Sequence, residues 1–182
     1  MRKKTGDTIE HFQLPAIDGN MFDTHALAGK PVLLSFFRFA ACPLCNLRVN
    51  ELVKKHPQLP EDFTIIAVFD SPLDNLQRYA NRHQAPFPIL ADEGNYWHKR
   101  YGVEQSVTGV LLGMLLRLPQ AIYGVIVKGY IPLHLKGDLT TMPADFLIDR
   151  DGIIQHAFYA RDEGAHMPFN DVLAFANTQQ EK

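Results

Sequence analysis

A continuous apolar stretch that leads into a pair of cysteines constrains the fold of this chain more than any other feature. Residues 31–37 read PVLLSFF, which is typical of a strand buried on both faces of a sheet. Cys42 and Cys45 follow, and the sequence from Pro43 to His56 then has the spacing of a helix. Pro43 would occupy the first helical position, where its missing N–H costs nothing. The pattern predicts a strand–CPxC–helix unit.

The rest of the chain predicts an α/β fold with a mixed central sheet flanked by helices. A turn at 18–20 between two half-apolar runs indicates a small N-terminal β extension. Ser71 and Asp74 have the spacing of a capping box and predict a helix start. Parallel crossovers come first and a hairpin with a last helix follows, which implies a mixed sheet. The further predicted elements lie at 63–69, 87–90, 92–102, 144–148, 153–159 and 168–178.

Length and charge narrow the class of protein. A chain of 182 residues without a linker or repeat is expected to form a single domain over 1–182. The formal net charge of −2 and the lack of a Lys/Arg run argue against a nucleic-acid partner. The basic N-terminus has no apolar stretch behind it, and two cysteines cannot form a disulfide framework. We therefore expect a cytoplasmic protein.

The surroundings of Cys42 favour a reactive thiolate. Cys42 falls at the start of the predicted helix, where free N–H groups and the helix dipole stabilise negative charge. The stretch 24–50 contains no Asp or Glu, but it carries Lys30, Arg38 and Arg48. Arg38, four residues before Cys42, is a candidate to stabilise the thiolate or to bind an anionic oxygen.

The two cysteines are predicted to differ in exposure. Cys45, Val49 and Leu52 share one largely apolar helical face, so Cys45 is expected to be buried and Cys42 exposed. An exposed thiol that attacks a substrate disulfide, with a buried second thiol one helical turn later, can form an intramolecular disulfide by thiol–disulfide exchange. Two other interpretations stay open at this point. The pair could be core cysteines, or half of a zinc site, although the eight histidines lack paired spacing.

Several stretches of the chain resemble the peroxiredoxin-like (AhpC/TSA-type) branch of the thioredoxin-fold superfamily. They are VLLSFFRFAACPLCNLRVNEL, GDTIEHFQLPAIDG with LAGKPVLLSFF, TMPADFLIDRDGII and ARDEGAHMPFNDVLAFA. The resemblance implies a thioredoxin-like fold and thiol-based redox chemistry with an antioxidant role. It also implies a cis proline facing the cysteines, which falls at Pro143, and a late-strand arginine near the site, which falls at Arg161.

The chain departs from the main peroxiredoxin families at two places. If Cys42 is the peroxidatic cysteine, Ser35 stands where those families carry proline and Phe39 stands where they carry Thr or Ser. The hydroxyl that would orient a peroxide is therefore missing. The order C-P-x-C is similar to that of glutaredoxins, which favours disulfide exchange.

The resulting prediction is a thiol–disulfide oxidoreductase without a cofactor or metal. Cys42 attacks a disulfide, Cys45 resolves the mixed disulfide, and thioredoxin or glutathione returns the pair to the dithiol. The first alternative is a peroxiredoxin with Cys42 peroxidatic and Cys45 resolving. A redox-inactive binding module and a CxxC metal-binding protein are the others.

An apolar insertion at 106–137 has no counterpart among the other predicted elements. Residues between Glu104 and Asp138 include no acid, and Leu, Ile and Val are frequent. Because Arg117, Pro119 and Gln120 interrupt the stretch, we expect no transmembrane segment. An extra helix and loop packed on the domain, a wall of the active site, a homodimer contact and a peripheral membrane contact are the alternatives.

Overall fold

The computed structural model describes residues 1–180 and contains seven strands and five α-helices in that part of the chain. The strands are β1 Gln13–Pro15, β2 Met21–Asp23, β3 Val32–Phe37, β4 Thr64–Phe69, β5 Ile89–Ala91, β6 Ala144–Ile148 and β7 Ile154–Tyr159. The helices are α1 Pro43–Lys55, α2 Leu73–Ala80, α3 Tyr96–Arg100, α4 Val107–Ile126 and α5 Phe169–Thr178.

The central sheet has the order β5-β4-β3-β6-β7. Strands β3, β4 and β5 are parallel, as expected where helices connect them, while β6 is antiparallel to β3 and β7 is antiparallel to β6. The predicted mixed sheet is therefore confirmed. The predicted N-terminal β extension is also confirmed, because β1 and β2 form a separate antiparallel hairpin.

The sheet separates two apolar cores, and both cysteines lie in one of them. Leu33 and Phe37 of β3 point to the side that contains Cys42 and Cys45 together with the buried faces of α1 and α5. The alternate residues of the same strand point to the other side, where the N-terminal segment packs. This alternation places the CPxC turn on one face of the sheet, directly after its central strand.

The start of α2 differs from the prediction. The helix begins at Leu73, its N-cap is Pro72 with extended backbone, and no side chain caps it. Ser71 precedes a proline, which disfavours helical backbone for that residue, and its hydroxyl lies 3.1 Å from the Asn75 amide oxygen instead. The predicted capping box is therefore wrong.

The insertion forms α4, a helix of 20 residues that continues through Pro119. Ser106 caps it, since its hydroxyl accepts a hydrogen bond of 2.9 Å from the Gly109 N–H. Among residues 1–180, α4 is the one helix whose length and apolar composition would allow it to cross a membrane. Only 17% of that apolar window is buried.

Candidate active site

Cys42 is the N-cap residue of α1, and Cys45 lies in its first turn. Both thiols are free and both residues are only 1% exposed. The expectation that Cys42 is exposed was therefore wrong. The reason is the insertion, because α4 and the segment after it cover the start of α1. Cys42 lines a cavity of about 270 Å³, whose other lining residues are Arg38, Phe39, Pro43, Leu44, Val110, Ala121, Pro132, Leu135, Leu139 and Glu163.

Hydrogen-bond donors and a cation converge on the sulfur of Cys42. The Cys45 thiol donates to it, and Arg38 Nη1 lies 3.6 Å from it. These interactions lower the pKa of the Cys42 thiol, the Cys45 hydrogen bond contributing most, although burial acts in the opposite direction. Cys42 is thus the thiol of the pair that ionises first.

Cys45 has the opposite tendency. Burial raises its pKa well above the ordinary thiol value, and its hydrogen bond to Cys42 acts in the same direction. A low pKa in one thiol and a high pKa in its neighbour assign two roles, since the thiolate is the nucleophile and the protonated thiol is held in reserve.

Arg38 is held in place by the segment after the insertion and by the tail of the chain. It is 3% exposed, its Nε donates to the Thr141 carbonyl at 3.0 Å, and its Nη2 donates to the Leu139 carbonyl. Its Nη1, the nitrogen near Cys42, also forms an ion pair with Glu163. A buried guanidinium with these acceptors has a fixed orientation, so its charge acts on Cys42 at constant distance.

Asn46 fixes the backbone of the CPxC turn. Its Nδ2 donates to the carbonyls of Ala40 at 2.8 Å and Cys42 at 2.9 Å. Its Oδ1 is 2.8 Å from His83 Nε2, so the ring nitrogen is the donor. Burial lowers the pKa of His83 to about 4, which keeps the imidazole neutral at physiological pH. The sequence interpretation did not include Asn46 or His83 in the site.

Asp70 anchors the segment that supports Arg38. This buried carboxylate accepts hydrogen bonds from the Thr141 hydroxyl at 2.8 Å and from the Asp138 N–H at 2.8 Å. Gly137 makes that approach possible, because a Cβ there would lie 2.0 Å from the Asp70 carbonyl oxygen and the residue has a φ of +101°. The segment that supplies Thr141 is thereby tied to the end of β4.

Pro143 directly precedes β6 and is buried, but its peptide bond is trans. The expected cis bond was therefore wrong. The Met142 N–H donates to the Glu104 carbonyl at 2.9 Å, and the Pro143 carbonyl accepts from the Ala160 N–H at 3.0 Å. These bonds fix the trans chain at the start of β6. The Met142 N–H is thus already used and is not free to pair with a substrate strand.

Arg161 does not lie at the site. It is exposed and does not line the cavity beside Cys42. Glu163, two residues later, lies in the cavity wall and pairs with Arg38. The tail motif therefore places the carboxylate of Glu163 near the cysteine, where the resemblance implied the guanidinium of Arg161. The sequence contains no local signal for the contact between Glu163 and Arg38.

A group of metal-ligating side chains lies on the N-terminal extension. The ligand atoms of His11, Asp23 and His25 lie within 4.8 Å of one another. Asp23 Oδ1 is 2.9 Å from His11 Nε2, and it also accepts the His25 N–H at 2.7 Å as a helix cap. Among residues 1–180 no such group includes Cys42 or Cys45. The CPxC pair therefore lacks the further ligands that a zinc site needs.

A thiolate-forming cysteine at a helix start, a second thiol one turn on and a mixed five-stranded sheet define a thioredoxin-fold thiol protein. The profile of the AhpC/TSA family matches residues 5–157, and the chain belongs to that family.

Similar proteins include enzymes of two kinds. Thiol-disulfide oxidoreductase ResA of Halalkalibacterium halodurans is 27% identical over 146 residues, 79% of this chain and 76% of the relative. Peroxiredoxin Bcp of Escherichia coli is 26% identical over 158 residues, 85% of each chain. The crystal structure of peroxidoxin BcpB from Mycobacterium tuberculosis has a TM-score of 0.71 at 19% identity, covering 97% of this chain and 98% of that one.

These similarities confirm the predicted thioredoxin-like fold and the predicted family. They also confirm the prediction of a thiol-based redox enzyme at the level of class, since the relatives are a thiol–disulfide oxidoreductase and peroxiredoxins.

Proposed function

We propose that this protein is a dithiol–disulfide oxidoreductase that uses Cys42 as attacking thiolate and Cys45 as resolving thiol. The observation that carries the proposal is the asymmetry of the pair. Arg38 and the Cys45 thiol lie beside the Cys42 sulfur, whereas burial keeps Cys45 protonated. Glu163 holds Arg38 without touching the sulfur, so we regard Glu163 as a positioning residue.

The reaction has two exchange steps. The Cys42 thiolate attacks one sulfur of a substrate disulfide, forms a mixed disulfide and releases the other sulfur as a thiolate. Cys45 then gives up its proton, which the released substrate thiolate takes up, and attacks the Cys42 sulfur, which expels the second substrate thiolate. The substrate gains two electrons and the protein keeps a Cys42–Cys45 disulfide. An external thiol such as thioredoxin or glutathione then reduces the pair to the dithiol. We also propose that the protein is located in the cytoplasm.

The surroundings of Cys42 support disulfide exchange over peroxide reduction. Phe39 places a ring in the cavity where the main peroxiredoxin families would have a hydroxyl, and the Arg38 guanidinium lies 5.1 Å from the centre of that ring. The hydroxyl of Ser35 is also committed elsewhere, because it donates to the buried carboxylate of Asp145.

One observation favours hydroperoxide reduction as a second candidate function. Arg38 Nη1 is close enough to Cys42 to bind a peroxide oxygen as well as the thiolate. In that reaction Cys42 attacks one oxygen, the O–O bond breaks, and an alcohol or water leaves while Cys42 becomes a sulfenic acid. Cys45 would then condense with the sulfenic acid, giving the same disulfide and water.

The test compares the two oxidants with single-cysteine variants. Reduced protein is mixed with oxidised glutathione or with hydrogen peroxide, and mass spectrometry follows the thiols in time. We expect fast exchange with the disulfide and slow reaction with peroxide. Cys42→Ser should abolish both reactions, and Cys45→Ser should accumulate a mixed disulfide at Cys42. The double variant, which has no thiol, is the matched control.

Two outcomes would contradict the proposal. Full activity of Cys42→Ser would exclude the assigned attacker. Peroxide consumption much faster than disulfide exchange, ending in the Cys42–Cys45 disulfide, would make the protein a peroxidase despite Phe39.

A further inference from the structure

The insertion presents a large apolar surface to solvent. In residues 1–180, every exposed large apolar side chain except Met1, Met21 and Tyr96 lies between residues 107 and 139. We call the exposed apolar side chains of 107–139 the insertion surface. Its members include Leu111, Leu115, Leu118, Ile122, Ile126 and Leu133. A patch of this extent indicates a binding surface, because single exposed apolar residues are common but contiguous ones are not.

The opposite face of α4 is fixed to the domain. Gly109, Gly113 and Gly124 are its buried residues, and a side chain at any of them would meet residues of the domain at 3.3 Å or less. Arg117 lies on the same side and pairs with Asp162 at 3.2 Å. A helix attached along one face in this way lies flat on the protein. It therefore presents its other face outward along a length of about 30 Å.

Charge distinguishes the possible occupants of the insertion surface. Residues 105–137 contain no Asp or Glu. Near the end of α4, Lys128 and Arg82 have no acidic partner within 1–180, and they lie against Tyr123 and Tyr130 respectively. A second copy paired through this surface would add cations and apolar groups, and Asp138, which is half-buried, is the one acid within 107–139. An anionic lipid surface supplies both the apolar phase and the opposite charge.

We propose that the insertion surface binds the surface of an anionic lipid bilayer, with α4 lying in the plane of the interface. A helix that is apolar on its outer face and accompanied by cations and tyrosines fits the boundary between headgroups and acyl chains. It does not need to span the membrane, since its glycine face stays on the domain.

The position of α4 gives this binding a consequence for the active site. The inner side of the same helix contributes Val110 and Ala121 to the cavity of Cys42, and Leu135 and Leu139 of the following segment complete that wall. When the protein is bound to a bilayer, α4 alone would separate Cys42 from the lipid. The importance of this position for catalysis rests on the proposed thiol function.

The test is flotation of the full-length protein with lipid vesicles. Wild-type protein should float with vesicles of phosphatidylcholine and phosphatidylglycerol, and much less with phosphatidylcholine alone or at high salt. The double variant Leu115→Gln/Ile126→Gln should lose most of this binding. Both residues are more than three-quarters exposed, so the fold should not depend on them. Met21→Gln removes an exposed apolar side chain outside the surface and should float like the wild type.

Flotation that is absent in the wild type, or unchanged in the double variant, would overturn the proposal. So would a dimer seen by light scattering that the double variant dissociates and that vesicles do not compete with, because a second copy would then cover the surface. The protein without cysteines separates this inference from the proposed function. It should float normally, whereas failure of thiol exchange in a protein that floats would refute the function alone.

Discussion

At the scale of residues, two charges act on the pKa of Cys42 in addition to the hydrogen bond from Cys45, which lowers it most. Arg38 contacts the sulfur, and Glu163 contacts Arg38. The positive charge of Arg38 lowers the pKa of Cys42, and the more distant negative charge of Glu163 raises it. The two side chains therefore set the thiolate fraction in opposite directions.

Neutral variants of the two residues should shift the pKa of Cys42 in opposite directions. Arg38→Gln should raise it, which lowers the exchange rate severalfold at pH values below the pKa. Glu163→Gln should lower it, so exchange continues at lower pH. The rate of exchange with oxidised glutathione, measured against pH, gives both values. If both variants had the same pH profile as the wild type, neither charge would act on the Cys42 thiol.

At the scale of elements, the start of α1 is fixed by a contact with the end of α2. Asn46 on α1 binds the carbonyls of the CPxC turn, and His83, in the turn after α2, binds Asn46. The geometry of the active site therefore depends on a helix that contains no reactive group. His83 is buried beside this contact, so protonation of its imidazole is unfavourable, although Nε2 would still donate to Asn46.

The burial of His83 predicts a loss of stability in mild acid. Its pKa is about 4 in the folded protein and near 6.5 in the unfolded chain. The unfolded state thus binds more protons between these values, and stability falls as pH decreases from 6.5 towards 4. The expected loss is about 2 kcal/mol. Urea unfolding across this range measures it.

His83→Gln is the matched control for that prediction. Glutamine keeps an N–H that can donate to Asn46 but does not titrate. The variant should lose less stability than the wild type over the same pH range. An identical pH dependence of both proteins would assign the acid sensitivity to other groups.

The strand, the CPxC pair and α1 could be predicted from sequence because their signals are local. An apolar run of seven residues, a proline at the first helical position and a helical spacing do not depend on distant parts of the chain. The exposure of Cys42 could not be predicted in this way. It depends on where α4 docks, and α4 is attached through glycines such as Gly113 and Gly124, which give little sequence signal.

The contacts of the tail were also beyond local reasoning. Arg161 and Glu163 are separated by one residue, and only the path of the chain after β7 decides which of them reaches Arg38. The trans bond before Pro143 has a similar origin, since its flanking hydrogen bonds come from Glu104 and Ala160 in other segments.

At the scale of the whole molecule, the sheet keeps the redox site apart from the N-terminal segment. Cys42 and Cys45 lie in one core, and Phe12 lies in the other with Tyr101. The five strands between them form a continuous hydrogen-bonded layer. Stability and reactivity should therefore be separable by substitutions on opposite faces.

Phe12→Ala should destabilise the protein without changing its chemistry. Phe12 is fully buried and packs on Trp97, so truncation should cost about 3–4 kcal/mol in unfolding free energy. Phe12→Leu should cost much less. Urea unfolding measures the loss, and exchange kinetics below the transition should match the wild type. A shifted pH profile in Phe12→Ala would show that the two faces are coupled through the sheet.

The glycine behind the site matters for how natural variants of this chain are interpreted. Gly137 carries no reactive group, and it stands at the end of an exposed apolar insertion that would ordinarily be considered permissive. Yet any side chain there would push the segment away from Asp70, and Thr141 and Leu139 would carry Arg38 with them. A substitution at Gly137 should therefore be expected to impair the site as much as the loss of Arg38 does.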